Sequence, residues 1–156
     1  MLIKVVFLFT LLAYSIIVSQ SFSYIIALKN VQLSLNANSY IELRKLLDVN
    51  FRANFTYVVY AALITNLLLV LTTFKNPSSL LFITATIAFV ALIADTLLTV
   101  KGNLPINDII NTWSSDNYPT NWTDIRAQWL TIFQYRQIAN IIGFVSLLIG
   151  AVFGAK

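Results

Sequence analysis

The chain has 156 residues, 58% of them hydrophobic and 10% charged, with a formal net charge of +4 and neither cysteine nor histidine. So little charge cannot cover the surface of a water-soluble domain of this length. The missing residue types exclude disulfides, thiolate nucleophiles, zinc sites, histidine-ligated haem and imidazole acid–base chemistry. The scattered basic residues build no nucleic-acid motif, so nucleic acid is not an expected partner.

A helix needs about 20 apolar residues to cross a bilayer. The first such run, Val5 to Leu28, carries no charge. Lys4 before it and Ser19, Ser21 and Ser23 within it are marks of a cleaved signal peptide. Apolar character nevertheless continues through Tyr24-Ile-Ile-Ala-Leu28, past the length of an ordinary signal, so a retained helix is expected. Ser15, Ser19 and Ser23 recur every fourth residue, a small-residue stripe that would let a second helix approach closely.

Residues 29 to 54 form the first long connection. Ser39-Tyr-Ile-Glu42 has the capping-box pattern. Beyond it, Leu43, Leu46, Leu47 and Phe51 share one helical face, and Arg44, Lys45, Asp48 and Arg52 the other. The segment is expected to be an amphipathic helix, lying in the headgroup region or capping the bundle from the water side. The second span, Phe55 to Phe74, is uncharged. The turn Lys75-Asn-Pro-Ser-Ser79, with a proline suited to the first turn of a helix, leads into the third, Leu80 to Val100, whose single charge is Asp95.

The third connection opens with Lys101-Gly-Asn-Leu-Pro-Ile-Asn-Asp108. Gly102 suits a helix stop, Pro105 the start of a short helix reaching Trp113, and Ser114 to Pro119 a turn cluster. The whole is expected to fold as a lid. Thr120 or Asn121 would cap the last helix, with Asp124 near its positive end. The fourth span, Ile138 to Phe153, reaches full length when extended back to Trp129 with Arg136 inside it. Gly150-x-x-x-Gly154 is a helix-pairing pattern that would support a homo-oligomer. Asn54-Phe-Thr56 and Asn121-Trp-Thr123 match a glycosylation acceptor by chance, both abutting the membrane surface.

These elements define an all-α fold: a four-helix transmembrane bundle with an amphipathic interfacial helix between helices 1 and 2 and a lid-like loop between helices 3 and 4. Residues 1–156 form one integral membrane domain, multi-pass in a cell membrane, on the pattern of a bacterial inner-membrane protein. Lys29, Arg44, Lys45, Arg52, Lys101, Arg126 and Arg136 flank one end of the spans, and Lys4, Lys75 and Lys156 the other, which places the termini outside.

A charge inside a span is costly and turns toward a partner. Asp95 lies about 10 Å inside the end of the third span at 1.5 Å per residue, and Arg136 stands at matching depth in the fourth. Thr84, Ala88, Asp95 and Thr99 share a face, as do Trp129, Arg136 and Asn140. Gln20 and Ser23, Tyr57 and Tyr60, Gln137 and Asn140 lie near the same level, and Asn66 goes somewhat deeper. The expectation is a polar pocket between the helices, opening toward the long connections, with lipid around it and an amphiphilic or aromatic small molecule as occupant. In the plainer alternative the Asp–Arg pair is glue for the bundle and the tyrosines are an aromatic belt.

From Lys101-Gly-Asn-Leu-Pro-Ile-Asn-Asp-Ile-Ile-Asn-Thr-Trp113 through Asn121-Trp-Thr-Asp to Gly143-Phe144, the chain resembles the anthrone oxygenase-like family of small four-helix membrane proteins, most of which have no established function. Asn103, Pro105, Asn107, Trp113, Trp129 and Arg136 carry the resemblance, which covers residues 95 to 150. It departs at Phe133, where many members have a histidine. The resemblance implies a cofactor-independent monooxygenase acting on a planar polyketide-like phenol. Asp95 and Arg136 would be catalytic, Asp95 taking a proton from an acidic carbon, the carbanion passing an electron to dioxygen, and Arg136, Asn103 and Asn107 donating to the enolate oxygen.

Against this stands a binding protein or accessory subunit, holding a lipid, quinone or other amphiphile among Asn103, Asn107, Trp113, Trp129, Gln20, Tyr60 and Asn140. Neither reading requires a cofactor or a metal. An aspartate already paired with arginine is a poor base. A closed Asp95–Arg136 pair with the loop asparagines bonded to backbone favours the structural alternative, and a ligand-sized cavity beneath Gly102 to Asn107 favours a site.

Overall fold

The computed structural model describes Leu2–Gly154; Lys156, counted above among the basic residues beside the termini, lies outside the described residues. Among the described residues there is no strand, only an isolated bridge between Ser114 and Asn117. Four helices carry the chain: α1 (Leu2–Ser34), α2 (Ala37–Thr73), α3 (Leu80–Asn111) and α4 (Trp122–Phe153). Each is long and apolar enough to cross a membrane. At 1.5 Å per residue they run roughly 50 Å, well beyond the ~30 Å of a bilayer's hydrocarbon. The surplus builds a cap at one end, so both long connections are mostly helix.

The apolar spans pass into the cap through a π-helical turn in three of the four helices: Tyr24–Leu28 in α1, Phe51–Phe55 in α2 and Thr99–Asn103 in α3. The turn in α3 explains why, against expectation, Gly102 does not stop the helix and Pro105 does not begin a separate one. A proline has no N–H and collides with the carbonyl four residues back. Here the ladder widens just before it, with the Leu104 N–H bonded to Thr99 O five residues back, and the helix continues to Asn111. Gly102 serves packing: a Cβ there would lie 2.7 Å from Ile132 Cγ2 of α4.

Helix starts also differ from the expected capping box. The N-cap of the segment after Leu35 is Asn36, whose side chain accepts from Ser39 N at 3.0 Å, and Ser39 lies inside the helix. Between α2 and α3, Ser79 is the N-cap, accepting from Phe82 N at 3.2 Å, with Pro77 in the turn before it. Asn121 caps α4 by backbone alone, and Asp124 stands in the first turn as expected.

Two cores stack along the helices. In the spans, Tyr14, Ile17, Leu69, Leu92 and Leu147 bury against Ala62, Ala85 and Ala88. Tyr14 is wholly buried because its neighbours are small: a Cβ on Gly143 would overlap its hydroxyl and lie 3.2 Å from Ala91 Cβ. Gly150 and Gly154 are likewise filled from within the chain, by Thr84 and Leu81 of α3. The close approach predicted for Ser15, Ser19 and Ser23 is therefore made by α3 and α4 instead. Ser19 and Ser23 face outward, and all three hydroxyls bond carbonyls of their own helix. In the cap, Tyr24, Tyr40, Ile106, Ile110, Trp113, Trp129 and Phe133 form the second core.

Candidate functional site

The amphipathic segment of α2 sits the other way round from a helix on the surface of a soluble protein. Arg44 and Asp48 are buried, while Leu46 and Val49 are exposed. Its polar face turns inward because α3 answers it. Once α3 continues past Gly102, Asn103, Asn107 and Asn111 recur every fourth residue on one side of it. Asn107 Nδ2 donates to Asp48 Oδ1 at 2.7 Å, and Asn111 Nδ2 to Asp48 Oδ2 at 2.8 Å. Asn107 Oδ1 accepts from Arg44 Nη2 and from Trp129 Nε1, both at 2.8 Å.

The deeper node is the expected ion pair. Arg136 Nε donates to Asp95 Oδ1 at 2.7 Å, and both side chains are buried. Asn103 joins this node to the upper one: its Oδ1 accepts from Arg136 Nη1 at 3.1 Å and its Nδ2 donates to Trp129 O at 2.9 Å. Asp95, Arg136, Asn103, Trp129, Asn107, Arg44 and Asp48 thus form one continuous polar network. The loop asparagines serve this network, with a single bond to backbone between them.

Aromatic rings enclose the upper node. The Arg44 guanidinium lies 3.8 Å from the Trp129 ring centroid, and its Nη1 donates to Tyr24 Oη at 3.3 Å. Phe133 is wedged between Tyr24 and Trp129, with centroids 4.3 Å and 5.1 Å away. Phe133 is thus an apolar stacking partner. Burial pushes the Asp48 carboxyl up, but hydrogen bonds from Asn111, Arg52 and Asn107 and the Arg52 charge outweigh it, holding Asp48 below the usual carboxylate range.

Beside this network lies a cavity of about 260 Å³. Asp95, Arg136, Arg44, Asp48, Asn107 and Trp129 line its polar side, and Phe51, Phe55, Val59, Val100 and Leu104 its apolar side. All three π-turns contribute to its wall. The mouth lies between α2 and α3, where the lining residues Tyr60 and Val100 are 58% and 55% exposed, whereas Tyr24 and Trp129 opposite are buried.

Of the predicted ligand-binding residues, Asn103, Asn107, Trp129, Gln20 and Tyr60 line this cavity. Trp113 does not. It is buried in the cap core, and its carbonyl accepts from Lys45 Nζ. Asn140 also lies off the wall, buried, its Oδ1 without a partner among the described residues. Asn66 bonds α3 backbone, Ala85 O and Phe89 N at 3.2 Å, in the amide orientation that satisfies both atoms. Tyr57 is exposed, and Gln137 Nε2 donates to Ser21 O at 3.2 Å. Sequence reasoning missed Arg44, Asp48 and Tyr24 as parts of the site. The asparagine spacing would have pointed to the first two.

No family model, no curated protein and no solved structure matches the chain.

Proposed function

We propose that the chain is a multi-pass membrane protein that binds the polar end of an amphiphile in the cavity between α2 and α3. One observation carries this: the cavity joins a charged, aromatic-walled floor to a mouth where Tyr60 and Val100 are exposed on the side that would face lipid in a membrane, with Arg52 and Thr56 exposed toward the cap. In that setting the apolar face of the amphipathic part of α2 lies against headgroups and acyl chains. The cavity falls just below the roughly 300–1,000 Å³ of pockets that enclose whole ligands. It suits a head and the first carbons of a chain, the rest remaining in the bilayer.

The cofactor-independent oxygenase implied by the resemblance has a narrower basis, that Asp95 meets the cavity. Asp95 is held by Arg136 through Oδ1, and each proton it accepted would leave a buried cation without its counter-charge. The binding reading is therefore preferred. Native mass spectrometry of protein extracted in a non-ionic detergent tests it: the wild type should retain about one amphiphile per chain. Thr96→Trp, which fills the mouth and loses only a bond to Leu92 O of the same helix, should lose it. Equal retention by both proteins would count against the cavity.

A further inference from the structure

Resting on that cavity reading, we infer that the occupant carries an anionic head, a phosphate or carboxylate, and that Arg44 receives it. Arg44 is 4% exposed and lines the cavity. Among the described residues the ion pairs are Arg52 with Asp48, Arg52 with Asp108 and Arg136 with Asp95, so Arg44 has no carboxylate partner. Its contacts are all neutral: Tyr24 Oη, Asn107 Oδ1 and the Trp129 ring. Its Nε is a buried donor with no partner.

A guanidinium does not shed its proton at any physiological pH, so burial cannot neutralise it. A buried cation is tolerated when a counter-charge reaches it. Asp48, one turn along α2, is already committed, Oδ1 to Asn107 and Oδ2 to Arg52 and Asn111. The charged residues of the cavity wall are Arg44, Arg52 and Arg136 against Asp48 and Asp95, three cations to two anions. At the Asp95 end the single cation Arg136 is balanced by its ion pair, whereas at the other end Arg44 and Arg52 outnumber Asp48, so the surplus positive charge lies at Arg44, separated from Asp95 by Arg136, Asn103 and Trp129. A carboxylate or phosphate oxygen there would meet the planar fork of a guanidinium already oriented by stacking on Trp129.

The source of the anion follows from the mouth. Phe51, Phe55, Val59, Val100 and Leu104 offer an acyl chain a path outward, which a free inorganic anion would not use. The test is native mass spectrometry in a non-ionic detergent with four probes: lysophosphatidate, lysophosphatidylcholine and monoacylglycerol of one acyl chain, and inorganic phosphate. Lysophosphatidate should bind one per chain with a Kd roughly tenfold below that of monoacylglycerol, and inorganic phosphate should not displace it. Arg44→Gln should erase the preference, and Arg44→Lys should keep part of it. If Arg44→Gln does not fold, the headgroup ranking of the native protein decides.

Equal affinity for anionic and neutral chains in the native protein would overturn the anionic head while leaving the cavity reading intact. Binding of neither chain would sink both. A preference that survives Arg44→Gln would remove Arg44 from the role, and displacement by inorganic phosphate would make the ligand a soluble anion.

Discussion

Asp95 and Arg136 were legible from the sequence because apolar surroundings leave a charge few choices. Each is the only charged residue in its span, at matching distance from a helix end, and the two meet at 2.7 Å. Removing one partner strands the other. Asp95→Leu should therefore cost about 3–5 kcal/mol, and the double variant Asp95→Leu/Arg136→Met should recover more than half of that, read from thermal unfolding in detergent. A double variant no more stable than the single ones would show that the pair contributes no mutual compensation. The steric role of Gly143 left no such sign, because a glycine in a sequence does not say what fills the space beside it. Gly143→Ala should cost about 1–3 kcal/mol by overpacking Tyr14, and Tyr14→Phe in the same chain should restore only part of it, because the hydroxyl that overlaps the new methyl is gone but the ring Cζ still lies 2.6 Å from it.

At the level of helices, the four apolar spans were readable from hydropathy, and their extensions were not. Gly102 and Pro105 are ordinary stop signals, and no residue pattern announces the π-turn that lets α3 pass them. With the helix broken at that point, Asn103 and Asn107 read as ligand-binding residues of a lid, and the polar face of α2 as turned to headgroups or water. Joined into one helix, the asparagines form the stripe that Arg44 and Asp48 face. The start of that α2 segment offers a direct check. Asn36→Ala should cost roughly 1 kcal/mol by removing the cap, while Ser39→Ala should cost no more than a few tenths, since Ser39 is exposed and already helical. The cap should also weaken in acid. The folded-state pKa of Asp48 lies below its ordinary 3.8, so its contribution is complete above that pH and is lost as the pH falls through the lowered value. Near-UV circular dichroism of the cap tryptophans during acid titration should show this loss, and Asp48→Asn should flatten it.

At the scale of the whole molecule, the basic residues divide as the sequence suggested: Lys29, Arg44, Lys45, Arg52, Lys101, Arg126 and Arg136 belong to the capped end or its border, and Lys4 and Lys75 to the opposite end. Several of them are structural. Arg126 Nη1 donates to Gln32 O and Leu35 O, and Lys45 to Trp113 O, so the cap uses its cations to tie helix ends together. If the charge excess also orients the protein, the cap faces the cytoplasm. Because the chain has no cysteine, single cysteines report this cleanly. Asn76→Cys in the α2–α3 turn should react with an impermeant maleimide on intact cells, and Asp116→Cys only after permeabilisation. Reversed labelling would invert the orientation, and labelling of both sites from one side would contradict four crossings.

Trp129 stands where the central claim can be measured, since it lines the cavity, its indole Nε1 donating to Asn107 and its backbone carbonyl accepting from Asn103. With Trp113→Phe and Trp122→Phe it becomes the sole tryptophan. In vesicles, a cavity that opens to lipid and admits a polar head should let phospholipids spin-labelled near the headgroup quench Trp129 strongly, and Thr96→Phe, which narrows the cavity without adding a tryptophan, should weaken that quenching. Aqueous iodide should leave the fluorescence nearly unchanged. Strong quenching by iodide with little effect from the labelled lipid would contradict the claim.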